Sequence, residues 1–395
     1  MSYSLEAIYR NTSWSITQHS TALSRLQEKA ATGQDINRLS DDPGRANQVL
    51  SYQSDSAKND VYISSVEELN SVLELSSSIV QNIMTEMAQA RASLTSTLSG
   101  TTGDQLQRTL AAEIDNALEH MVSLGNTQRL GNYLFAGSKS KQEPYAVERN
   151  ETGKITRVTY QGSQDEQKVE VAEGLEISAY LVGDDLFSFD TPEKPTFYGS
   201  TGAAAGTGTS SVRGDVYLEV TGSAGNYQLS IDGGLTSVTV NGTETNVPVV
   251  NSETGEVLYV DATGITQIGT DPARVEGTYD IFNVLISARN LLNNTESLPD
   301  AVRQNMLNDT VPTMQDAEAK LVNAFPLVGG RIQVLSNLQE SLEGINISAD
   351  QEISRLRDVD ITQVAIDLSR HQMLYNMSLT AASKLFSMSL LDFIR

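Results

Sequence analysis

From Pro43 to about Leu98 the chain keeps one helical apolar seam. Ile63, Val66, Leu73, Val80, Met84, Met87, Leu94 and Leu98 return to the same face at steps of three, four or seven. A single helix over that stretch would be roughly 84 Å long at about 1.5 Å per residue. Globular cores rarely need such a helix; rods and bundles do. Its start is marked in "NRLSDDPGRANQVL" (37–50). Asp42 can accept the first-turn N–H groups, and Pro43 at the first helical position forfeits no hydrogen bond.

Helical pattern lies on the other side of that break as well. Leu5, Ile8, Thr12, Ile16, His19, Leu23, Leu26 and Ala30 form one stripe of a near-heptad helix over residues 4–30. "ATGQDINRLS" ends it, with Gly33 placed as a C-cap. Beyond Leu98, "SGTTGD" breaks the long helix, and Thr102 with Gln105 offers a capping box for a helix to about residue 130. The stretch 136–277 changes character. "KITRVTY", "VYLEV", "YQLSI", "TSVTV" and "EVLYV" alternate as strands between Gly and Asn turns. Residues 190–211 read as a loop or flexible linker within it.

Helices return at 279–292 and from about Pro299 to Ile345. The second has the seam Val311, Met314, Leu321, Phe325, Val328, Ile332, Leu335 and Leu342. Pro326 and Gly329-Gly330 should bend or loosen it. A second break is expected at "EGINISAD" (343–350), with Ser348 and Gln351 as a capping box. The last helix then runs through Ile353, Leu356, Val364, Leu368, Leu374, Met377, Leu385, Met388 and Leu391. The fold class is therefore mainly α with an inserted β-rich domain. Both chain ends build a long antiparallel helical rod with paired terminal helices and an outward-projecting β domain. Three divisions are expected: 1–42 with 350–395, 43–135 with 278–349, and 136–277, the last split near 190–211.

Charge sorts the partners. The formal net charge is −23, which disfavours nucleic acid and anionic membrane. Residues 1–42 carry four basic and five acidic side chains and residues 352–395 five of each, so the charge lies between the ends. Near-neutral ends and an acidic middle suit ends that pack on protein and a middle that faces water. A lone pair of helices is marginal without partners to cover its seams. The absence of cysteine rules out disulfides, thiol catalysis and zinc–thiolate sites. No run of about 18 apolar residues suggests a transmembrane helix. The opening "MSYSLEAIYRNTSW" lacks the basic start and apolar core of a secretory signal, so export would use another route.

Chemistry-bearing residues are sparse. His19, His120 and His371 are far apart in sequence; His19 and His371 fall on apolar stripes, where packed seam histidines are expected rather than a metal pair. Asp41-Asp42 reads as a cap and Asp184-Asp185 as a strand-end turn rather than as catalytic carboxylates. "GTGTSS" lacks the Lys of a phosphate loop. No enzyme activity, cofactor or metal is expected. The region 136–277 carries 9 basic and 21 acidic side chains. It should matter for solubility but be dispensable for assembly, the long helices supplying their own seams.

This layout is that of the flagellin superfamily, and the residues resemble its hook-associated protein 3 branch, the hook–filament junction proteins. "SDDPGRANQVL" after "ATGQDINR" and "LGNYLFAGSKSKQEPY" (130–145) carry the resemblance, with "GDDLF" (183–187) and "AASKLFSMSLLDFI" (381–394) in support. The family-motif positions are Ser40, Asp41, Asp42, Pro43, Tyr133, Leu134, Phe135, Ala136 and Gly137. The opening residues depart from the usual start of the branch. The resemblance implies a secreted structural subunit of the bacterial flagellum, exported by the type III pathway and self-assembling at the hook–filament junction. The implied partners are the other hook-associated junction protein, flagellin, copies of itself in a ring, and an export chaperone before secretion. The assembly interface would run through Leu5, Ile8, Ile16, Leu23, Leu26, Leu368, Leu374, Met377, Leu385, Met388, Leu391 and Phe393. A flagellin-like filament subunit is the alternative. An extracellular coiled-coil adhesin or sugar-binding protein is the alternative from another class.

Overall fold

The computed structural model describes the backbone of residues 2–98, 103–189 and 191–393, and the side chains of these from residue 7 to residue 384. Helix α1 (Ser2–Thr32) is followed by α2 (Pro43–Leu98) and α3 (Asp104–Gly125). The β-rich region opens with β1 (Gln128–Arg129), β2 (Asn132–Tyr133), β3 (Tyr145–Arg149), β4 (Ile155–Tyr160), β5 (Gln167–Ala172), β6 (Leu175–Tyr180) and the short helix α4 (Gly183–Phe187). It continues with β7 (Thr196–Phe197), β8 (Ala204–Ala205), β9 (Gly214–Ser223), β10 (Asn226–Ser230), β11 (Val238–Val240), β12 (Val247–Val250), β13 (Val257–Asp261) and β14 (Gly269–Val275). Three helices close the chain, α5 (Ile281–Asn293), α6 (Asp300–Arg357) and α7 (Ile361–Phe393). The class is thus mainly α, with long terminal helices and a central β-rich region.

The chain forms two compact units, Met1–Ser64 with Leu338–Arg395, and Ser65–Asn337. In the first unit α1 packs on α7. Asp42 starts α2 as its sequence position implies. Its carboxylate accepts from the N–H groups of Gly44 and Arg45, both at 3.1 Å. Asp360 does the same for α7, accepting from Thr362 and Gln363 at 2.8 and 3.2 Å.

The break expected at 343–350 is not there. Helix α6 runs on to Arg357, and the chain breaks at 358–360. Ser348 turns its hydroxyl back to the Gly344 carbonyl at 2.9 Å instead of capping a new helix, and Ala349 and Ile353 keep the apolar stripe buried. The helix also continues through Pro312, Pro326 and Gly329-Gly330.

In the second unit the seams fall where the periodicity puts them. Val66, Leu73, Val80, Met87 and Leu94 of α2, and Met314, Leu321, Val328 and Leu335 of α6, are buried, with Ile114, Leu118 and Met121 of α3. Cross-links run in opposite order along the two long helices, Asn70 to Ser336 and Arg91 to Glu318, so α2 and α6 are antiparallel. Helix α3 begins after Gly103, which offers no side-chain cap; Thr102 lies outside the described residues.

The β region has two parts. Hairpins β3–β4 and β5–β6 come first. A sandwich follows, with one sheet ordered β11-β10-β9-β14-β7 and the other β12-β13-β8. Leu218, Val220, Leu229, Val249, Leu258 and Val260 share its core. Residues 190–211 are more than a linker. Phe197 pairs with Ala273, and Ala205 pairs with Val260, adding an edge strand to each sheet. Helix α5 is buried almost all round. Arg289 on it reaches Asp115 of α3 at 2.8 Å and the Ile155 carbonyl of β4 at 2.6 Å, so helices and hairpin share one core.

Candidate assembly face and junction

The α1–α7 pair has an incomplete interior. Of the expected interface residues, Ile16, Leu23, Leu26, Leu368 and Leu374 are half-buried, and Ile8 and Met377 are 48% and 62% exposed. The side chains of Leu5, Leu385, Met388, Leu391 and Phe393 lie outside the described residues. Tyr9, Trp14, Met373 and Leu379 are exposed as well, Trp14 by 64%. Single exposed apolar residues are ordinary, but this many on one helix pair is a surface suited to further protein.

Where the pair meets the long helices, the two chain breaks bind each other. Gln34 and Asp358 form an antiparallel bridge. Asp35 N–H donates to the Arg357 carbonyl at 2.6 Å, and Val359 N–H to Gly33 at 3.0 Å. Gly33 takes φ +71°, the left-handed C-cap its position suggests. Asp35 then gathers two cations, Lys29 from α1 at 2.6 Å and Arg45 from α2 at 2.9 Å. The Lys29 hydrogen bond, joined by Arg45, holds the Asp35 carboxyl below its ordinary value. Arg45 also binds Asp42 at 2.7 Å and the Leu356 carbonyl at 3.3 Å. Asp41 closes the turn by accepting from Asn37 and Arg38 N–H. Ser40 and Pro43 are exposed. The motif acids are thus turn and cap groups that build the junction.

The second motif block does different work. Leu134, Phe135, Ala136 and Gly137 are buried, and Tyr133 is half-buried. Phe135 stacks at 5.2 Å on Phe187, from the separate "GDDLF" segment, and Tyr145 lies 4.8 Å from Phe282 of α5. Gly183 N–H donates to the Phe135 carbonyl, and Gly137 N–H to that of Leu181. Gly137 sits at φ +57°, and a Cβ there would stand 2.6 Å from the Asp165 carbonyl oxygen. Two motifs some fifty residues apart therefore meet in one aromatic cluster. Asp184-Asp185 lies in α4, a helical turn rather than the strand-end turn expected.

The buried charges are all tied to neighbours. Asp115 binds Arg289 and Lys154. Asp271 binds Thr201. Asp280 caps α5 through Phe282 and Asn283 N–H at 2.8 and 2.6 Å. Asp215 is held by Arg274, with Tyr279 donating to it at 2.6 Å. Sequence reasoning missed that last network and the contact between His19 and His371, whose Nδ1 atoms are 3.4 Å apart. His120 instead meets Glu86 at 2.8 Å. Among the described residues no helix is long and apolar enough to cross a membrane.

Comparison with known proteins agrees with this geometry. Residues 4–140 match the bacterial flagellin N-terminal helical region. Over 188 residues the chain is 24% identical to flagellar hook-associated protein 3 of Escherichia coli (strain K12); the match spans 47% of this chain and 57% of that protein. The fold is similar to the crystal structure of flagellar hook-associated protein 3 from Legionella pneumophila, with a TM-score of 0.52 and 16% identity, covering 78% of this chain and 98% of that one. It is similar also to the flagellar junction protein FlgL from the same organism, with a TM-score of 0.50 and 17% identity, covering 79% and 100%.

Proposed function

We propose that this chain, a flagellin-superfamily protein similar to flagellar hook-associated protein 3, is a structural, non-enzymatic subunit joining the hook side of the bacterial flagellum to its filament. The observation that carries the reading is the α1–α7 pair, helical over both chain ends yet leaving Ile8, Trp14, Met373 and Met377 exposed. A pair built this way gains its missing core by packing with copies of itself in a ring. On one side of that ring the neighbour would be the other hook-associated junction protein, and on the other side flagellin. Before secretion an export chaperone would cover the same apolar face. The junction at Asp35, Asp42 and Arg45 fixes how the pair leaves the long helices. A proposed division keeps the expected scheme with its second boundary moved: 1–42 with 358–395 as the assembling part, the long helices next, and 136–277 as a solvent-facing acidic part.

A second reading, a flagellin-like filament subunit, is favoured by the match of residues 4–140 to the flagellin N-terminal region. Removing residues 387–395 tests the assembly mechanism. The second unit should stay folded while motility fails and flagellin escapes to the medium. Normal filaments on the truncated protein would sink the proposal.

A further inference from the structure

His19 on α1 and His371 on α7 meet across the terminal pair, Nδ1 to Nδ1 at 3.4 Å, with ring centroids 5.6 Å apart and planes tilted by 56°. Both rings are half-buried. Further along the same seam, Ser15 Oγ and Ser378 Oγ are 3.2 Å apart. We propose that the His19–His371 contact is a proton-sensitive latch: α1 and α7 stay paired while at most one ring is charged, and the pair loosens when both are protonated.

The chemistry of imidazole carries this. A neutral ring offers one N–H donor and one acceptor nitrogen, so two neutral rings, or one neutral and one charged, can share a proton across the gap. Two charged rings present only donors and bring like charges into contact. The surroundings do little to offset this. Residues 14–24 of α1 contain no charged side chain besides His19, with Arg10 and Arg25 beyond them. On α7, Asp367 and Tyr375 lie one turn to either side of His371, both half-buried, and Arg370 is exposed. Asp367 can balance one positive charge, and it already accepts from Gln363 at 3.1 Å.

The paired state therefore holds one proton where the separated helices hold two. Pairing weakens as pH falls through the range near about 6.5 where histidine ordinarily titrates. The remaining contacts between the helices are half-buried aliphatics, so losing this layer matters. The inference concerns the terminal pair alone and does not depend on a junction role.

The chain has no cysteine, so the variant Ser15→Cys/Ser378→Cys is a clean reporter of α1–α7 pairing. The full-length protein, in chelator-treated glutathione buffer, is compared with and without His371→Gln at pH 7.5 and pH 5. Thiol chemistry common to both backgrounds cancels in the ratio. The native histidines should lose the cross-link about tenfold more on acidification, the size of a one-unit coupling. An equal loss in both backgrounds, or no cross-link at pH 7.5 with both histidines present, overturns the latch. Should His371→Gln itself prevent pairing, ring NMR decides. With only three histidines, His120→Gln leaves just the pair visible. Two separated titration steps support the latch, and two independent ones overturn it.

Discussion

Arg274 of β14 and Asp215 of β9 are joined by two hydrogen bonds, Nε to Oδ1 at 2.8 Å and Nη2 to Oδ2 at 3.1 Å, with the guanidinium wholly buried. The same guanidinium donates to the Met306 carbonyl and Thr310 of α6 and to Ser287 of α5. One side chain thus links a sandwich strand to two helices. Burial pushes the Asp215 carboxyl up, but the Arg274 charge and the bonds from Arg274, Ser287 and Tyr279 hold it below its ordinary value.

Asp215→Ala leaves a buried cation without its partner. It should cost the Ser65–Asn337 unit about 3–5 kcal/mol, read from urea unfolding. The same geometry argues against the expectation that the β region is dispensable. Replacing residues 146–270 by a linker removes Asp215 and the Ile155 carbonyl, stranding Arg274 and half of Arg289's bonding. That variant should fail to give a stable helical unit. Native-like stability in either variant would contradict the shared core.

Gly137 marks a position only glycine fits. Gly137→Ala needs a left-handed backbone and sets a Cβ 2.6 and 2.7 Å from the carbonyl oxygens of Asp165 and Ser163. The expected loss is about 2–4 kcal/mol in thermal or urea unfolding. A change within about 0.5 kcal/mol, the range of ordinary surface substitutions, would contradict the geometry.

Burial raises the Asp280 carboxyl to about 6, despite the N–H groups of Asn283 and Phe282. The folded protein then binds this proton more tightly than the unfolded chain does. The stability it contributes is fully present below the unfolded value, near about 4, and is lost as pH rises through 6. Asp280→Asn keeps a cap oxygen and removes the titration. From pH 7.5 to pH 4 the native protein should gain about 3 kcal/mol relative to the variant. An unchanged difference between the two would contradict a buried, neutral cap in acid.

Trp14 is the sole tryptophan of the chain and is exposed on α1. If copies cover that face on assembly, its fluorescence should shift to the blue and lose access to iodide. Assembly without either change would place the interface on another face.

Local chemistry was legible in the sequence. Asp42-Pro43 caps a helix wherever it occurs, and the seams of α2 and α6 follow from helical period alone. The second break was misplaced because "EGINISAD" contains the right cap residues while Ser348 bonds within its own helix. Asp360, directly before the α7 stripe, was the signal that marked the true start. Partnerships across the fold had no such mark. Asp215 and Arg274 are 59 residues apart, and His19 and His371 are 352 apart. The exposed face of α1 was readable as a stripe, but which neighbours cover it is not written in one chain.

The most direct measurement is where the protein sits in an intact flagellum. The chain, tagged within the β10–β11 turn at Gly233-Gly234, where a side chain meets open space, would be located by immunogold electron microscopy on flagella with hook and filament attached. A single band between hook and filament is the result expected of a junction subunit. Label distributed along the filament would contradict the junction assignment and favour the filament subunit, and absence of label from flagella would overturn the flagellar reading itself.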